Sequence, residues 1–164
     1  MREDTPMQAT AQSQAIDLHG TVRSLLAHKD QTLWSISPEA SVYEAIENMS
    51  EKHIGALVVL SEGHLAGIIT ERDYARKVIL KGRQSRETQV REIMSAPVLF
   101  VTPEQTIAEC MQLMTSRRVR HLPVVEGHRP IGMLSIGDLV NWIISAQEQT
   151  IRHLHNYIAG SYPV

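Results

Sequence analysis

Apolar positions along this chain follow two rhythms, and each rhythm is used twice. Val42, Ala45, Ile46 and Met49 fall at the spacing that gathers side chains on one helix face, as do Ile107, Cys110, Met111 and Met114. Both predicted helices open on a capping box, Ser41 with Glu44 and Thr106 with Glu109, in which a hydroxyl and a carboxylate satisfy each other's backbone N–H groups. Two short apolar runs follow each helix, 56–60 and 66–69 in one case, 122–125 and 131–134 in the other. Turn sequences separate them, Glu62-Gly63-His64 and Gly127-His128-Arg129-Pro130, so each pair reads as a β-hairpin. A second helix is predicted from Asp73 and from Asp138, the first ending in the polar stretch 81–88 and the second able to run to about Ile158. The segments 22–26 and 90–94 match each other and predict a short helical turn ahead of each copy's first strand, with about three extra residues in the first copy.

Laid over each other at a constant offset of 65, residues 36–74 and 101–139 need no gap. Identities fall at Pro38/Pro103, Glu39/Glu104, Glu44/Glu109, Met49/Met114, Leu57/Leu122, Val59/Val124, Gly67/Gly132 and Asp73/Asp138. Such self-similarity marks a duplicated supersecondary unit. One unit of this size buries little core alone, so the copies are expected to pack together and leave related clefts at a pseudo-symmetric seam. The predicted fold class is α+β: two strand-helix-strand-strand-helix repeats packed as one module. The expected organisation is a flexible tail over 1–20, a first repeat over 21–80, a linker over 81–88, a second repeat over 89–145 and a helical C-terminal extension over 146–164.

Composition narrows the function. A hydrophobic content of 43% over 164 residues suits an ordinary core. No stretch reaches the roughly 20 apolar residues of a membrane helix, and Met1 to Pro6 lack the apolar run of a secretory signal, so a cytoplasmic location is expected. A formal charge of −2 argues against general nucleic-acid binding, which needs a basic face to neutralise phosphates. The single cysteine, Cys110, rules out an internal disulfide and matches Ala45 of the other copy, so it is expected in the core rather than as a nucleophile. Eight histidines form no ligand pattern; His153 and His155 would point away from one another on a helix, and no metal is expected.

The chemistry concentrates where each hairpin gives way to a helix. Thr70 with Asp73, and Ser135 with Asp138, each put a hydroxyl and a carboxylate three positions apart at that junction. Such a pair can bind a sugar and a phosphate, the carboxylate accepting from ribose hydroxyls and the hydroxyl and backbone amides donating to phosphate oxygens. It is also a plain capping box. Arg72 lies inside the first motif where Gly137 lies in the second, so the two clefts are expected to differ in charge.

The 65-residue spacing, the motif Gly67-Ile68-Ile69-Thr70-Glu71-Arg72-Asp73 with its echo Gly132-Met133-Leu134-Ser135-Ile136-Gly137-Asp138, and Leu122-Pro123-Val124-Val125 before a turn closely resemble a tandem pair of cystathionine beta-synthase (CBS) domains, a Bateman module, over about residues 20–145. The resemblance implies a regulatory module that binds an adenosine-containing ligand such as AMP, ATP or NAD and signals by changing shape, rather than a catalyst. It further implies that the cationic turn Arg118, Arg120 and His121 reaches phosphates. Ile36, Ile54 and Ala56 in one repeat, and Val101, Val119 and His121 in the other, are the positions expected to line the adenine clefts, where strand edges and apolar side chains hold a flat base. The family's disc-like dimers, together with the surplus apolar length after Leu139, imply a homodimer, with an unidentified regulated protein as a further partner. Two rival readings are an enzyme that turns over NAD or ATP and a structural dimerisation module with empty clefts. No Walker-type glycine loop or nucleophile–base pair supports the first.

Overall fold

The computed structural model describes residues 19–30 and 32–158; most of the expected N-terminal tail, and the last residues of the C-terminal extension, lie outside them. Helix α1 (Val22–Ala27) leads to the short strand β1 (Ser35–Ile36), helix α2 (Val42–Lys52), the hairpin β2 (Ala56–Ser61) and β3 (His64–Thr70), and helix α3 (Glu71–Lys77). A 3-10 turn over Ile79–Lys81 and the left-handed Gly82 end the first half. The second half runs α4 (Val90–Ile93), α5 (Ile107–Arg117), β4 (His121–Glu126), β5 (Arg129–Ser135) and α6 (Ile136–Ile158). The helices α3 and α6 start two residues ahead of the aspartates expected to begin them, because Thr70 is itself the N-cap of α3 and Asp73 its N3 residue.

The halves are built alike. β1 pairs parallel with β2 and β2 antiparallel with β3; Val101 makes the corresponding parallel bridge to Val124 beside the antiparallel pair β4–β5. The ladder slips between Val59 and Leu60, and again between Val124 and Val125. Both capping boxes of α2 and α5 are formed, and both helices end on a left-handed non-glycine residue, His53 and Arg118. Those two caps turn the chain sharply out of the helix and aim it into the following strand.

Each opening turn belongs to the other half's core. The amides of Val22 and Arg23 donate to the carbonyls of Gln105 and Pro103, at 2.9 Å each, and those of Val90 and Arg91 donate to Ala40 and Pro38 at 2.9 and 3.0 Å. Val22, Leu25 and Leu26 are buried with Val101, Ile107, Met114, Leu122 and Leu134, whereas Val90 and Ile93 are buried with Val42, Met49, Leu57 and Ile69. The repeated glycines make room for the crossing. A Cβ on Gly67 would lie 2.6 Å from Met94 Sδ, and one on Gly132 3.2 Å from Leu26 Cδ2. Cys110 is fully buried, and burial with the nearby Glu109 carboxylate pushes its thiol up to about 11. That shift keeps the thiol protonated and unreactive near neutral pH.

Candidate functional site

The crossing that joins the cores also builds the clefts, each from the hydroxyl–carboxylate motif of one half and the helix-to-strand turn of the other. In the first, Thr70, Arg72 and Asp73 face Val119, Arg120 and His121 across a cavity of about 520 Å³, with Ser95, Val98 and Leu99 also lining it. In the second, Ser135 and Asp138 face Ile54, Gly55 and Ala56, with Lys29, Trp34 and Met133 beside them, in about 380 Å³. We call them the Asp73 cleft and the Asp138 cleft. A third hollow of about 560 Å³ between α1 and α6 meets the Asp138 cleft at Lys29 and Asp138.

Both carboxylates are already engaged. Asp73 Oδ2 accepts from the backbone and hydroxyl of Thr70, 3.0 Å each, and its Oδ1 accepts from Lys77 Nζ at 2.8 Å and from Ser95 Oγ at 3.3 Å. Asp138 Oδ2 accepts from Ser135 N at 2.8 Å and from Lys29 Nζ at 2.6 Å. The lysines are anchored in turn, Lys77 on Ile93 O and Lys29 on Met133 O, at 2.8 Å each. A carboxylate has about four lone-pair sites, so each aspartate keeps capacity to accept from a ribose diol while paired with its lysine. Asp73 is only 7% exposed, so its charge depends on these partners more than that of a surface cap would.

Charge divides unevenly. Among the described residues the Asp73 cleft is lined by four cations, Arg72, Arg76, Lys77 and Arg120, against Glu71 and Asp73. The Asp138 cleft has two, Lys29 and Lys52, against Asp30 and Asp138. Arg72 reaches across the seam, its Nη1 donating to Arg118 O at 2.8 Å, so one arginine clamps the left-handed cap of α5 to the start of α3. Lys52 Nζ stands 4.5 Å from the centre of the Trp34 ring, a cation–π contact at the mouth of the Asp138 cleft.

Of the residues expected from sequence, Thr70, Arg72, Asp73, Val119, Arg120 and His121 meet in one cleft, and Ser135, Asp138, Ile54, Ala56 and again His121 in the other. Ile36 and Val101 do not join them: they are buried in the two hydrophobic cores, and Trp34 and Leu99, two residues earlier in each half, line the clefts instead. Arg118 contributes its carbonyl to Arg72 and is absent from both linings. Sequence reading missed Lys29, Trp34, Lys52, Arg76, Lys77 and Ser95. Lys77 had a readable signal, since a lysine four residues after an aspartate on a helix is the favoured ion-pair spacing. Lys29 and Ser95 had none, because chain crossing brings them in. Among the described residues no group of three histidine, cysteine or acidic side chains is placed to hold a metal, and no helix is long and apolar enough to cross a membrane.

Comparison with known proteins bears on the family and the fold. The family model for the CBS domain matches residues 29–79 and 90–145. The chain is 44% identical over 135 residues to the mitochondrial CBS domain-containing protein CBSX3 of Arabidopsis thaliana, covering 79% of this chain and 65% of that protein. It is 32% identical over 105 residues to the CBS domain-containing protein YhcV of Bacillus subtilis, covering 64% of this chain and 74% of that one. A signal-transduction protein with CBS domains from Burkholderia ambifaria superposes with a TM-score of 0.76 at 50% identity, over 78% of this chain and 96% of the other.

Proposed function

The chain belongs to the CBS-domain family, and on that premise we propose that it is a regulatory module whose two clefts bind adenosine phosphates. The observation that carries this reading is the pairing of a hydroxyl–carboxylate motif from each half with the helix-to-strand turn of the other, twice, around cavities large enough for a nucleoside. Asp73 and Asp138 accept from the ribose. Apolar side chains and strand edges hold the base, Val98, Leu99 and Val119 on one side and Trp34, Ile54 and Met133 on the other. Arg72 and Arg120 meet the phosphates in the Asp73 cleft, which suits the more highly charged ligand of AMP, ATP and NAD.

Because each cleft is lined by residues of both halves, binding favours whichever arrangement of them closes the cleft, by no more than the ligand's difference in affinity for the two states. Beyond Trp142, α6 leaves Ile144, Ile151, Leu154 and Ile158 exposed, so a second copy of the chain is the expected cover; a chain cut after Trp142 should then lose mass in light scattering or precipitate. The working compartment is the cytoplasm in the simplest reading, although the Arabidopsis relative is named as mitochondrial. Mass spectrometry of small molecules released from the purified protein, followed by calorimetric titration with AMP, ATP and NAD, tests the central reading. Absence of any adenosine compound and of any heat would favour a structural module, and conversion of the added nucleotide an enzyme.

A further inference from the structure

His121 is a wall of both clefts at once. It stands at the first position of β4, where the matching residue of the first half is Ala56. Its neighbour across the seam is Gly55, whose own counterpart is Arg120. A Cβ added to Gly55 would lie 3.3 Å from His121 Cε1, 3.5 Å from its Nε2, and 3.3 Å from Glu71 Oε2. The seam therefore has room for one imidazole, and the missing side chain of Gly55 provides it. This departure from pseudo-symmetry leaves one ring between two clefts.

We propose that His121 is a hydrogen-bond donor shared by the two clefts, so that a phosphate-bearing ligand in one weakens the binding of a phosphate-bearing ligand in the other. The inference rests on the reading of the clefts as nucleotide sites. Burial holds the imidazole below its ordinary pKa; Asp138 of α6 opposes this, while Lys29 from the segment after α1, Arg120 from its own turn and Arg72 of α3 add to it. Glu71 lies across the same Gly55 gap. The ring is therefore neutral at pH 7, and a neutral imidazole has one N–H; its other nitrogen is an acceptor and repels a phosphate oxygen. The first phosphate to arrive takes the donor by selecting the tautomer, and the second finds a lone pair. A nucleoside without phosphate makes no claim on the ring, so its two binding events should not be coupled through it.

Native mass spectrometry of the full chain at pH 7.5 resolves proteins carrying no, one and two ligands, and gives the ratio of second to first binding constant for AMP and for adenosine. Adenosine measures the intrinsic inequality of the clefts. In the wild type the ratio for AMP is expected to be lower than for adenosine by about tenfold, within the usual range of coupling between sites. In His121→Ala, which installs the residue already present at position 56, the AMP ratio should return to the adenosine value; a second AMP seen only in this variant would be the strong form of the same result. Equal ratios for AMP and adenosine in the wild type, a comparison that needs no variant, would overturn the coupling while leaving the nucleotide sites in place. So would an AMP ratio that the substitution leaves unchanged, or a single AMP bound by both proteins. Binding of neither ligand overturns the coupling and the nucleotide reading together.

Discussion

The Asp73 and Asp138 clefts are made from the same parts 65 residues apart, yet they differ in what surrounds the carboxylate. Around Asp73 both oxygens are bonded and the lysine comes from the same helix, one turn on; Asp138 takes its lysine from the segment after α1, and its partners among the described residues meet a single oxygen. Where α3 places Lys77, α6 places Trp142, whose indole Nε1 donates to His19 O at 3.1 Å. Duplication preserved the frame, and the side chains that finish each site come from segments the frame does not specify. Two such sites are free to acquire different ligands while keeping one fold.

The largest expected effect tests whether the halves depend on each other equally. Ile93 and Leu26 are buried in the core of the half they do not precede. Each replacement by alanine should cost about 2–5 kcal/mol, the range for large-to-small changes in a packed core. Urea unfolding followed by circular dichroism measures it. A single cooperative transition in both variants is expected, because the cores are tied by the crossing; two separated transitions would show that the halves unfold independently.

Next in size is the unequal commitment of the two aspartates. Asp73→Ala removes a buried carboxylate that accepts from Thr70, Lys77 and Ser95, and should destabilise the protein by about 1.5–3 kcal/mol, the cost of losing hydrogen bonds to a charged group, although Lys77 keeps its bond to Ile93 O. Asp138→Ala, with its side chain 20% exposed and fewer bonds lost, should cost about 1 kcal/mol, in the range of a lost cap. Thermal melts of both variants give the order. In calorimetric titrations each variant should lose one adenosine site and keep the other. Undiminished binding in both would remove the ribose role from the aspartates.

Of that asymmetry only the Lys77 partner could be read from the sequence, since Lys29 and Ser95 come in by the chain crossing; much else was legible. The periodic helices, both capping boxes, both hairpins and the pairing of Thr70 with Asp73 and Ser135 with Asp138 follow from local spacing, and the structure has them. The crossing of α1 and α4 has no local signature: the match between 22–26 and 90–94 shows that the two turns are equivalent, not which core each one enters. Ile36 and Val101 were legible as apolar positions, read more readily as core than as ligand contacts, but so were Ile54, Ala56 and Val119, which do line the clefts; which of them face a cleft depends on the elements that pack above the strand.

A smaller effect separates the clefts by charge. Arg72 and Arg120 are exposed, so each bond to a phosphate is partly screened by water, and removing either should weaken AMP by about 0.5–1.5 kcal/mol. Adenosine should be nearly unaffected. Lys52→Ala in the Asp138 cleft should cost AMP less than either arginine, because Lys52 stands over Trp34 at the mouth of that cleft. Paired titrations of nucleotide and nucleoside decide the matter. Equal losses for both ligands in the arginine variants would assign these side chains to the fold, through the Arg72–Arg118 contact, rather than to phosphate.

The smallest effect is a pH dependence confined to the one ring that breaks the pseudo-symmetry. Burial lowers the pKa of His121 in the folded protein, so the unfolded chain takes up the proton more readily. The stability due to the neutral ring is therefore fully present above the unfolded value, about 6.5, and is lost as the pH falls through the lower folded value. The wild type should lose stability relative to His121→Ala as the pH is lowered from 7.5 to 5, and the difference should become independent of pH above about pH 7. Urea midpoints at a series of pH values provide the measurement. As the pH falls towards 5 a bound phosphate favours the imidazolium, which the ring does not adopt at pH 7.5, so saturating AMP should flatten or invert the trend there where adenosine leaves it unchanged. Were AMP and adenosine to act alike, the phosphate would lie out of reach of the ring, and the clefts would have no titrating group in common.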